Sequence, residues 1–141
     1  MIAVKRLSAQ AVLPQYQSSG ASGFDFHASE NVTLEPGETK LVPTGLAFEV
    51  PRGQELQVRP RSGLSLKTKL RIPNSPGTVD ADYRGEVKII MENTGDTAHF
   101  IQVGDRIAQG VICPVIQVQL GEVQELSNTA RGEGGFGSTN K

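Results

Sequence analysis

Two carboxylates lie close together in the stretch NSPGTVDADYRGE, and their spacing suits proton-transfer chemistry. Asp80 and Asp82 are two residues apart, so both side chains would project from the same side of an extended strand. One carboxylate could then act as a general base while the other pairs with Arg84 or forms a turn. A hairpin whose turn is Asp82–Gly85, with no catalytic role, is the competing interpretation.

A second stretch, RPRSGLS, combines a cation with the predicted start of a short helix. The pattern predicts a helix over Ser62–Lys67, with the side chain of Ser62 as its N-cap. A helix N-terminus presents unpaired N–H groups and a positive dipole end to a phosphate, and Arg61 would add a charge-assisted donor. A capped helix beside an ordinary surface arginine is the alternative.

Two further stretches place single polar groups among apolar residues. Asp25 lies between two phenylalanines in SGFDF, where it could bind a ligand or simply initiate a turn. Gln109, in GDRIAQG, could donate its amide to a phosphate or could be an ordinary exposed residue of a strand. His27 and His99 lack a cysteine or carboxylate cluster at metal-ligand spacing, which argues against a zinc site.

The stretch RGEGGFGSTNK carries one aromatic ring and one arginine among four glycines. Glycine lets a backbone approach an anion closely and adopt positive φ angles. Since the last dozen residues have no apolar periodicity, we expect a folded domain over residues 1–128 and a mobile arm over residues 129–141.

The elements that must position these stretches are short β-strands. Apolar and polar residues alternate in Glu86–Glu92 and Ile116–Leu120, which is the period of a strand. Further strands are predicted at Ala3–Leu7, Asn31–Leu34, Thr39–Pro43, Leu46–Val50, Leu56–Arg59, Ala98–Ile101 and Arg106–Val111. Many short strands between turns, with one short helix, predict an all-β sandwich or jelly roll.

Length and composition limit the classes of function. The 141 residues fit one domain, and the net charge of -1 argues against a nucleic-acid-binding surface. No apolar run approaches the roughly 20 residues of a membrane span, and the stretch MIAVKRLSAQ lacks the apolar region expected of a secretory signal. Cys113 is the only cysteine and lies in an apolar stretch, which predicts an inert core thiol in a cytoplasmic protein without membrane partners.

Taken in order, these stretches resemble the five motifs of the homotrimeric deoxyuridine triphosphatase (dUTPase) family. The resemblance covers essentially the whole chain, and the matching motifs are SGFDF, RPRSGLS, NSPGTVDADYRGE, GDRIAQ and RGEGGFGST. Phe24 departs from the family's usual tyrosine but keeps an aromatic ring. The resemblance implies a distorted jelly roll that hydrolyses dUTP to dUMP and pyrophosphate, which supplies dUMP for dTMP synthesis and keeps uracil out of DNA.

The resemblance also assigns roles to individual residues. Asp80 would be the base that activates a water to attack the α-phosphorus, and Asp25 would contact Mg²⁺ through its bound waters. Tyr83 would lie under the deoxyribose and leave no room for a 2′-hydroxyl, while Phe136 would stack on uracil and Arg131 would hold the γ-phosphate. The other implied substrate-binding residues are Arg61, Ser62, Gly63 and Gln109 in the phosphate channel, Asn74, Gly77, Thr78, Val79 and Lys88 around uracil, and Gly137, Ser138 and Thr139 in the arm. Active sites shared between three subunits are implied as well, one chain giving the hairpin and another the Arg61–Ser62 segment.

Two other functions are compatible with parts of the pattern. Deoxycytidine triphosphate deaminase shares the implied fold but needs a glutamate base near the pyrimidine C4, whereas the segment around Asp80 and Tyr83 follows the triphosphatase pattern. A nucleotide-sensing module without catalysis would keep the pocket and lose the base or the arm, and this sequence has both. Ammonia release from dCTP would identify the deaminase.

Overall fold

The computed structural model describes residues 1–139, and almost all of their regular structure is β-strand. The strands in chain order are β1 (Ala3–Arg6), β2 (Phe24–His27), β3 (Val32–Leu34), β4 (Thr39–Pro43), β5 (Leu46–Glu49), β6 (Gln54–Arg59), β7 (Leu70–Arg71), β8 (Gly77–Val79), β9 (Lys88–Asn93), β10 (His99–Ile101) and β11 (Arg106–Pro114). One helix, α1 (Ser62–Lys67), lies between β6 and β7 in the described part of the chain. No helix among residues 1–139 is long and apolar enough to cross a membrane.

The strands form small antiparallel sheets. The largest has the order β2-β11-β6-β8, a second has the order β4-β9-β7, and two pairs join β1 to β5 and β10 to β3. Every pairing among the described strands is therefore antiparallel, and each strand except β1 has at least one buried residue. This arrangement, with its one short helix, confirms the predicted all-β jelly-roll class.

A cluster of aromatic rings fixes β2 in the core. The ring centroids of Phe24 and Phe26 are 5.5 Å apart, and those of Phe26 and Phe48 are 5.9 Å apart. Gly110 lets β11 approach these rings, because a Cβ there would lie 2.5 Å from Phe24 Cε2. Since successive side chains of a strand point to opposite faces, burial of both phenylalanines turns Asp25 to the other face of the sheet.

Most predicted elements are confirmed. The eight strand predictions that correspond to β1, β3, β4, β5, β6, β9, β10 and β11 agree with the structure to within three residues at each end, and α1 has the predicted bounds. Three strands were not predicted as strands: β2, β7 and β8. The turn-initiating alternative for Asp25 is wrong, because this residue lies inside β2.

The strand predicted at Ile116–Leu120 is wrong. The last strand ends at Pro114, and the side chains of Ile116 and Leu120 are 87% and 90% exposed. The sequence has the period of a strand, but this segment pairs with none of the described strands. Alternation alone does not make a strand without such a neighbour.

Three local predictions also need correction. Ser62 is the first residue of α1 and not its N-cap, because Arg61 holds that position and no side chain caps the helix. The hairpin predicted around Asp82–Gly85 is not a paired ladder, since β8 pairs with β6 whereas β9 pairs with β4 and β7. Cys113 is half-buried in β11 and is not a core thiol.

Candidate functional site

Asp25 lies beside two arginine side chains from distant parts of the chain. Arg61 Nε donates a hydrogen bond to Asp25 Oδ1 at 2.9 Å, and Arg106 Nη1 lies 3.6 Å from Asp25 Oδ2. The side chains of Asp25 and Arg61 are only 14% and 26% exposed, so water screens this pair less than an ion pair on the surface. Two cations around one carboxylate leave a local excess of positive charge, which suits an anionic ligand.

Gln109 joins this group because β11 pairs with β2 on one side and with β6 on the other. Its register partners are Asp25 and Arg59, and facing residues of paired strands have their side chains on the same face. Gln109 Nε2 donates to the carbonyl oxygen of Pro60 at 2.9 Å, which connects β11 to the segment leading into α1. Gly23 makes room for this side chain, since a Cβ there would lie 2.7 Å from Gln109 Oε1.

The first turn of α1 presents backbone N–H groups next to the same carboxylate. The helical hydrogen bond from the N–H of Ser65 to the carbonyl of Arg61 leaves the N–H groups of the preceding helical residues without a partner in the helix. Ser62 and Gly63 are both exposed there. The structure thus brings together the residues that we call the anion cluster: Asp25, Arg61, Ser62, Gly63, Arg106 and Gln109.

Asp80, the predicted base, directly follows β8 in a tight turn. The N–H of Tyr83 donates to the carbonyl oxygen of Asp80 at 3.1 Å, so the turn begins at Asp80 and not at Asp82. Asp80 is exposed and lines a cleft of about 790 Å³. Asp82, Arg52 and Arg84 line this cleft as well.

The residues predicted around uracil lie on and beside β8. Asn74 packs against Gly77, since a Cβ at that glycine would lie 3.1 Å from Asn74 Nδ2. Thr78 is exposed and Val79 half-buried. Lys88 lies apart from β8 as the first residue of β9, with its Nζ 3.5 Å from a carboxylate oxygen of Glu86.

Within one chain, Asp80 and the anion cluster lie at opposite ends of β6. The register places Val79 opposite Leu56, so Asp80 follows at the Glu55 end of this strand. Arg61 lies beyond the other end, and the six residue steps from Glu55 to Arg61 span roughly 20 Å in an extended chain. The structure therefore does not bring the predicted base and the predicted phosphate residues together in a single subunit.

The residues predicted in the arm form local turns with one another. Arg131 Nε donates to the carbonyl oxygen of Gly134 at 2.8 Å, and the N–H of Ser138 donates to the carbonyl oxygen of Gly135 at 3.0 Å. Phe136 is fully exposed and has a φ of 49°. The predicted residues Gly137, Ser138 and Thr139 follow it, while residues 140–141 of the predicted arm lie outside the described residues.

His27 borders the anion cluster at the end of β2. Partial burial of its ring is the main cause that lowers the pKa of His27 below the ordinary value. The nearby carboxylate of Asp25 opposes this effect, whereas the guanidinium groups of Arg106 and Arg61 lower the pKa further. The Nδ1 atom is buried without a hydrogen-bond partner among the described residues, so a neutral ring is favoured at this position.

Sequence analysis did not identify two features of this face of the sheet. Arg106 lies in the motif GDRIAQ but was given no role, and its contact with Asp25 occurs next to a register shift in the pairing of β11 with β2. Arg59 donates to Gln57 Oε1 at 2.7 and 3.0 Å, and its Nη2 lies 3.5 Å from Cys113 Sγ. The contacts of Arg106 with Asp25 and of Arg59 with Cys113 join residues that are distant in sequence. The contact of Arg59 with Gln57 has the polarity of an ordinary exposed strand face, so no local motif indicates either feature.

Comparisons with known proteins find relatives from one family over nearly the whole chain. The family model described as dUTPase matches residues 9–140. The deoxyuridine 5′-triphosphate nucleotidohydrolase of Nautilia profundicola is 52% identical over 138 residues, which cover 98% of this chain and 97% of the relative. That of Bdellovibrio bacteriovorus is 58% identical over 131 residues, which cover 92% of this chain and 88% of the relative.

Solved structures also superpose on this chain over most of its length. The dUTPase of Staphylococcus bacteriophage 80alpha, solved with dUpNHpp, superposes with a TM-score of 0.92 at 32% identity over 98% of this chain and 97% of that one. A variant of the dUTPase from phage phi11 of S. aureus superposes with a TM-score of 0.86 at 28% identity, over 91% of this chain and 99% of that one. The phi11 structure reveals how a structural Mg(II) ion is coordinated in that protein.

Proposed function

The chain belongs to the dUTPase family and is a dUTP diphosphatase, and we propose that it builds each active site from more than one subunit of a homotrimer, with Asp80 as the general base. The observation that carries this proposal is the separation of Asp80 from the anion cluster along β6. A triphosphate bound at the anion cluster of one chain would reach an Asp80 from a neighbouring chain. Cyclic assembly repeats such a contact three times with the same surfaces.

Asp80 has the exposure and surroundings that a general base needs. Its carboxylate is open to solvent at the start of a turn and is not part of any ion pair within 4.0 Å in the described chain. A free carboxylate can accept the proton of a water as that water attacks the α-phosphorus. The new bond from the water oxygen to phosphorus forms while the bond to the bridging oxygen breaks, and pyrophosphate leaves with the electron pair.

The anion cluster supplies what a departing phosphate chain needs, namely donors in fixed positions. Arg61 is oriented by Asp25 and retains free guanidinium N–H groups, while the first turn of α1 adds backbone N–H groups at Ser62 and Gly63. Gln109 is held by its hydrogen bond to Pro60. Donors that are already oriented stabilise the charge that develops in the transition state without further rearrangement.

The residues of the anion cluster also fit a Mg²⁺ ion that is held mainly by the triphosphate. No group of three or more potential ligand side chains gathers in residues 1–139, so a cage built by this chain alone is not expected. Asp25 Oδ1 and Oδ2 each contact one arginine, and a carboxylate oxygen has a second lone pair that can accept from a metal-bound water. When bound, Mg²⁺ would neutralise charge on the phosphates, and Asp25 would orient its water shell.

The segment around β8 supports recognition of the nucleoside. Gly77 and Asn74 pack together at the start of β8, so backbone groups and the carboxamide are available to the polar edge of uracil. The ring of Tyr83 is partly exposed and lies within the same segment, where it would pack under the deoxyribose. We propose that the ring rejects UTP by occupying the space of a 2′-hydroxyl, and that the segment rejects dTTP by lack of space for the 5-methyl group.

The segment after β11 supports exchange of arms between subunits. Its large apolar side chains are exposed in the isolated chain: Ile116, Val118, Leu120, Val123 and Leu126. Such side chains are expected to pack against another surface, and a neighbouring subunit would provide one. The same crossing would carry Arg131 and Phe136 to a site on another chain, where they would hold the γ-phosphate and stack on uracil.

Pyrophosphate release from dUTP, UTP, dTTP and dCTP, each with and without Mg²⁺, tests this assignment. We expect kcat/KM to be far higher for dUTP than for the other nucleotides, and turnover to need Mg²⁺. Similar values for dUTP and UTP would contradict the proposed nucleoside pocket. Light scattering should give the mass of a trimer, whereas a monomer at micromolar concentration would contradict the shared site.

A further inference from the structure

Gly85 and Tyr83 approach each other so closely that any side chain at Gly85 would displace the tyrosine ring. A Cβ built on Gly85 would lie 2.6 Å from Tyr83 Cζ and 3.0 Å from Tyr83 Cε2, and it would also overlap Tyr83 Oη. Real Cβ atoms essentially never make contacts shorter than 3.0 Å. The ring therefore occupies space that is free only because residue 85 is glycine.

The hydroxyl end of the Tyr83 ring is held by Glu86, the residue after Gly85. Tyr83 Oη donates a hydrogen bond to the carbonyl oxygen of Glu86 at 3.0 Å. The ring thus rests on the backbone of Gly85 and Glu86 while 47% of the tyrosine stays exposed to solvent. We infer that Gly85 is a positioning residue that fixes the plane of Tyr83 and, through it, the preference for deoxyribose over ribose. This inference rests on the proposed contact between Tyr83 and the sugar.

The backbone at Gly85 does not itself require glycine. The glycines with φ in the left-handed region are Gly37, Gly45, Gly53, Gly104, Gly132 and Gly137, and Gly85 is not one of them. Alanine at this position therefore meets no penalty for a left-handed backbone. Since the atoms in conflict belong to an exposed side chain that can rotate away, Gly85→Ala should move the ring and leave the fold intact.

A displaced ring changes the two substrates unequally. The 2′-hydroxyl of UTP is rejected by the position of the ring, so moving the ring removes that rejection. The deoxyribose of dUTP loses its packing partner at the same time. We expect the ratio of kcat/KM for dUTP to that for UTP to fall at least about tenfold in Gly85→Ala, with a melting temperature close to that of the wild type.

A double-mutant cycle tests whether Gly85 acts through Tyr83. The selectivity ratio is measured in the wild type, Gly85→Ala, Tyr83→Ala and the double variant. Gly20→Ala is the matched control, because a Cβ there meets nothing within 4 Å. We expect each single variant to lower the ratio, the double variant to equal Tyr83→Ala, and the control to match the wild type.

The outcomes separate this inference from the proposed nucleoside pocket. If Tyr83→Ala lowers the ratio but Gly85→Ala does not, the inference is wrong and the pocket stands. If Tyr83→Ala itself leaves the ratio unchanged, the proposed sugar contact is wrong and the inference falls with it. A ratio that Gly85→Ala lowers further in the Tyr83→Ala background would show that Gly85 acts without the ring, which also overturns the inference.

Proton NMR gives a readout that does not depend on activity. The chain has two tyrosines and no tryptophan, so the ring signals of Tyr83 can be assigned from the Tyr83→Ala spectrum. Wild-type protein should show a nuclear Overhauser effect between these ring protons and the α-protons of Gly85, and Gly85→Ala should shift the ring signals. Absence of the effect in the wild type would overturn the inference even if the variant failed to fold.

Discussion

Arg61 and Asp25 form a side-chain ion pair with 2.9 Å between Nε and Oδ1, although they are far apart in sequence. Both side chains are largely shielded from solvent, so each orients the other more firmly than partners on the surface do. The pair connects β2 to the residue before α1 and thereby sets where the N–H groups of the helix point. The position of the proposed phosphate site therefore depends on a contact between two residues of opposite charge.

Asp25→Ala should weaken catalysis through this contact. Loss of a partly buried charged hydrogen bond costs about 1.5–3 kcal/mol, which corresponds to about 10- to 150-fold in kcat/KM for dUTP. Steady-state kinetics at several Mg²⁺ concentrations would measure the change. Glu38→Gln is the control, because Glu38 and Lys40 form an ion pair outside the site motifs. An effect of similar size in the control would show that any lost ion pair impairs the enzyme.

Asp80→Asn should abolish turnover and leave dUTP binding largely intact. The amide keeps the size of the side chain but cannot accept a proton from water, and loss of a general base typically costs about 10²- to 10⁴-fold in rate. Single-turnover kinetics and calorimetric binding of dUTP would separate the two effects. Asp82→Asn is the matched control in the same turn. Loss of turnover in Asp82→Asn alone would identify Asp82 as the base.

How far the sequence predicted these arrangements depends on whether the signal is local. Alternation in β9 identified a strand because Ile89 and Met91 face the core while Lys88 faces solvent. Asp25 in β2 was interpreted as a possible start of a turn, since an aspartate between two phenylalanines is too short a pattern to show a period. The same reasoning predicted a false strand at Ile116–Leu120, where the period is present and the pairing partner is absent from the described chain.

The candidate site shows the same limit. Residue types and motif order identified Asp80, Arg61 and Gln109 as candidates, but no sequence pattern indicated that Arg61 contacts Asp25. That contact depends on the pairing of β11 with both β2 and β6, which joins segments that are distant in sequence. Nor does the motif order indicate that Asp80 lies at the other end of β6 from Arg61. Non-local strand register sets both distances, and only the folded chain contains it.

His27 should make stability depend on pH. Because burial lowers its folded-state pKa below the ordinary 6.5, the unfolded chain binds a proton more readily than the folded one. The resulting stabilisation is fully present above pH 6.5 and is lost as the pH falls from there through the folded-state pKa. Urea midpoints measured from pH 7.5 to 5 should fall less in His27→Gln than in the wild type. A fall in His27→Gln parallel to that in the wild type would assign the pH effect to other groups.

Deletion of residues 131–141 should impair catalysis without affecting stability. The described arm residues make only local hydrogen bonds and are not among the buried residues of the core, so the melting temperature should not change. Phe136→Ala should weaken binding of the uracil base by about 1–3 kcal/mol, the usual value of an aromatic stack on a base. Arg131→Ala should impair dUTP more than dUDP, because the γ-phosphate is its proposed partner. Full activity of the truncated protein would contradict a role for the arm.

Mixing two inactive variants should restore activity if the sites are shared between subunits. In Asp80→Asn every chain keeps the anion cluster, and in Arg61→Ala every chain keeps the base. Because Asp80 and Arg61 lie at opposite ends of β6, a mixed trimer can combine an intact base from one chain with an intact cluster from its neighbour. Refolding the two variants together at equal concentrations should leave about a quarter of the sites intact, if chains assort at random in a cyclic trimer.

Pyrophosphate release before and after co-refolding measures this recovery, and each variant refolded alone is the control. A second control mixes Asp80→Asn with a chain that carries both substitutions, which cannot contribute an intact base to any site. That mixture should stay inactive while the first recovers about a quarter of the wild-type rate. If the first mixture also stayed inactive although both variants had assembled into trimers, each site would have to lie within one chain. The roughly 20 Å between Asp80 and Arg61 would then have to close by a rearrangement of the fold, since the strand between them spans that length.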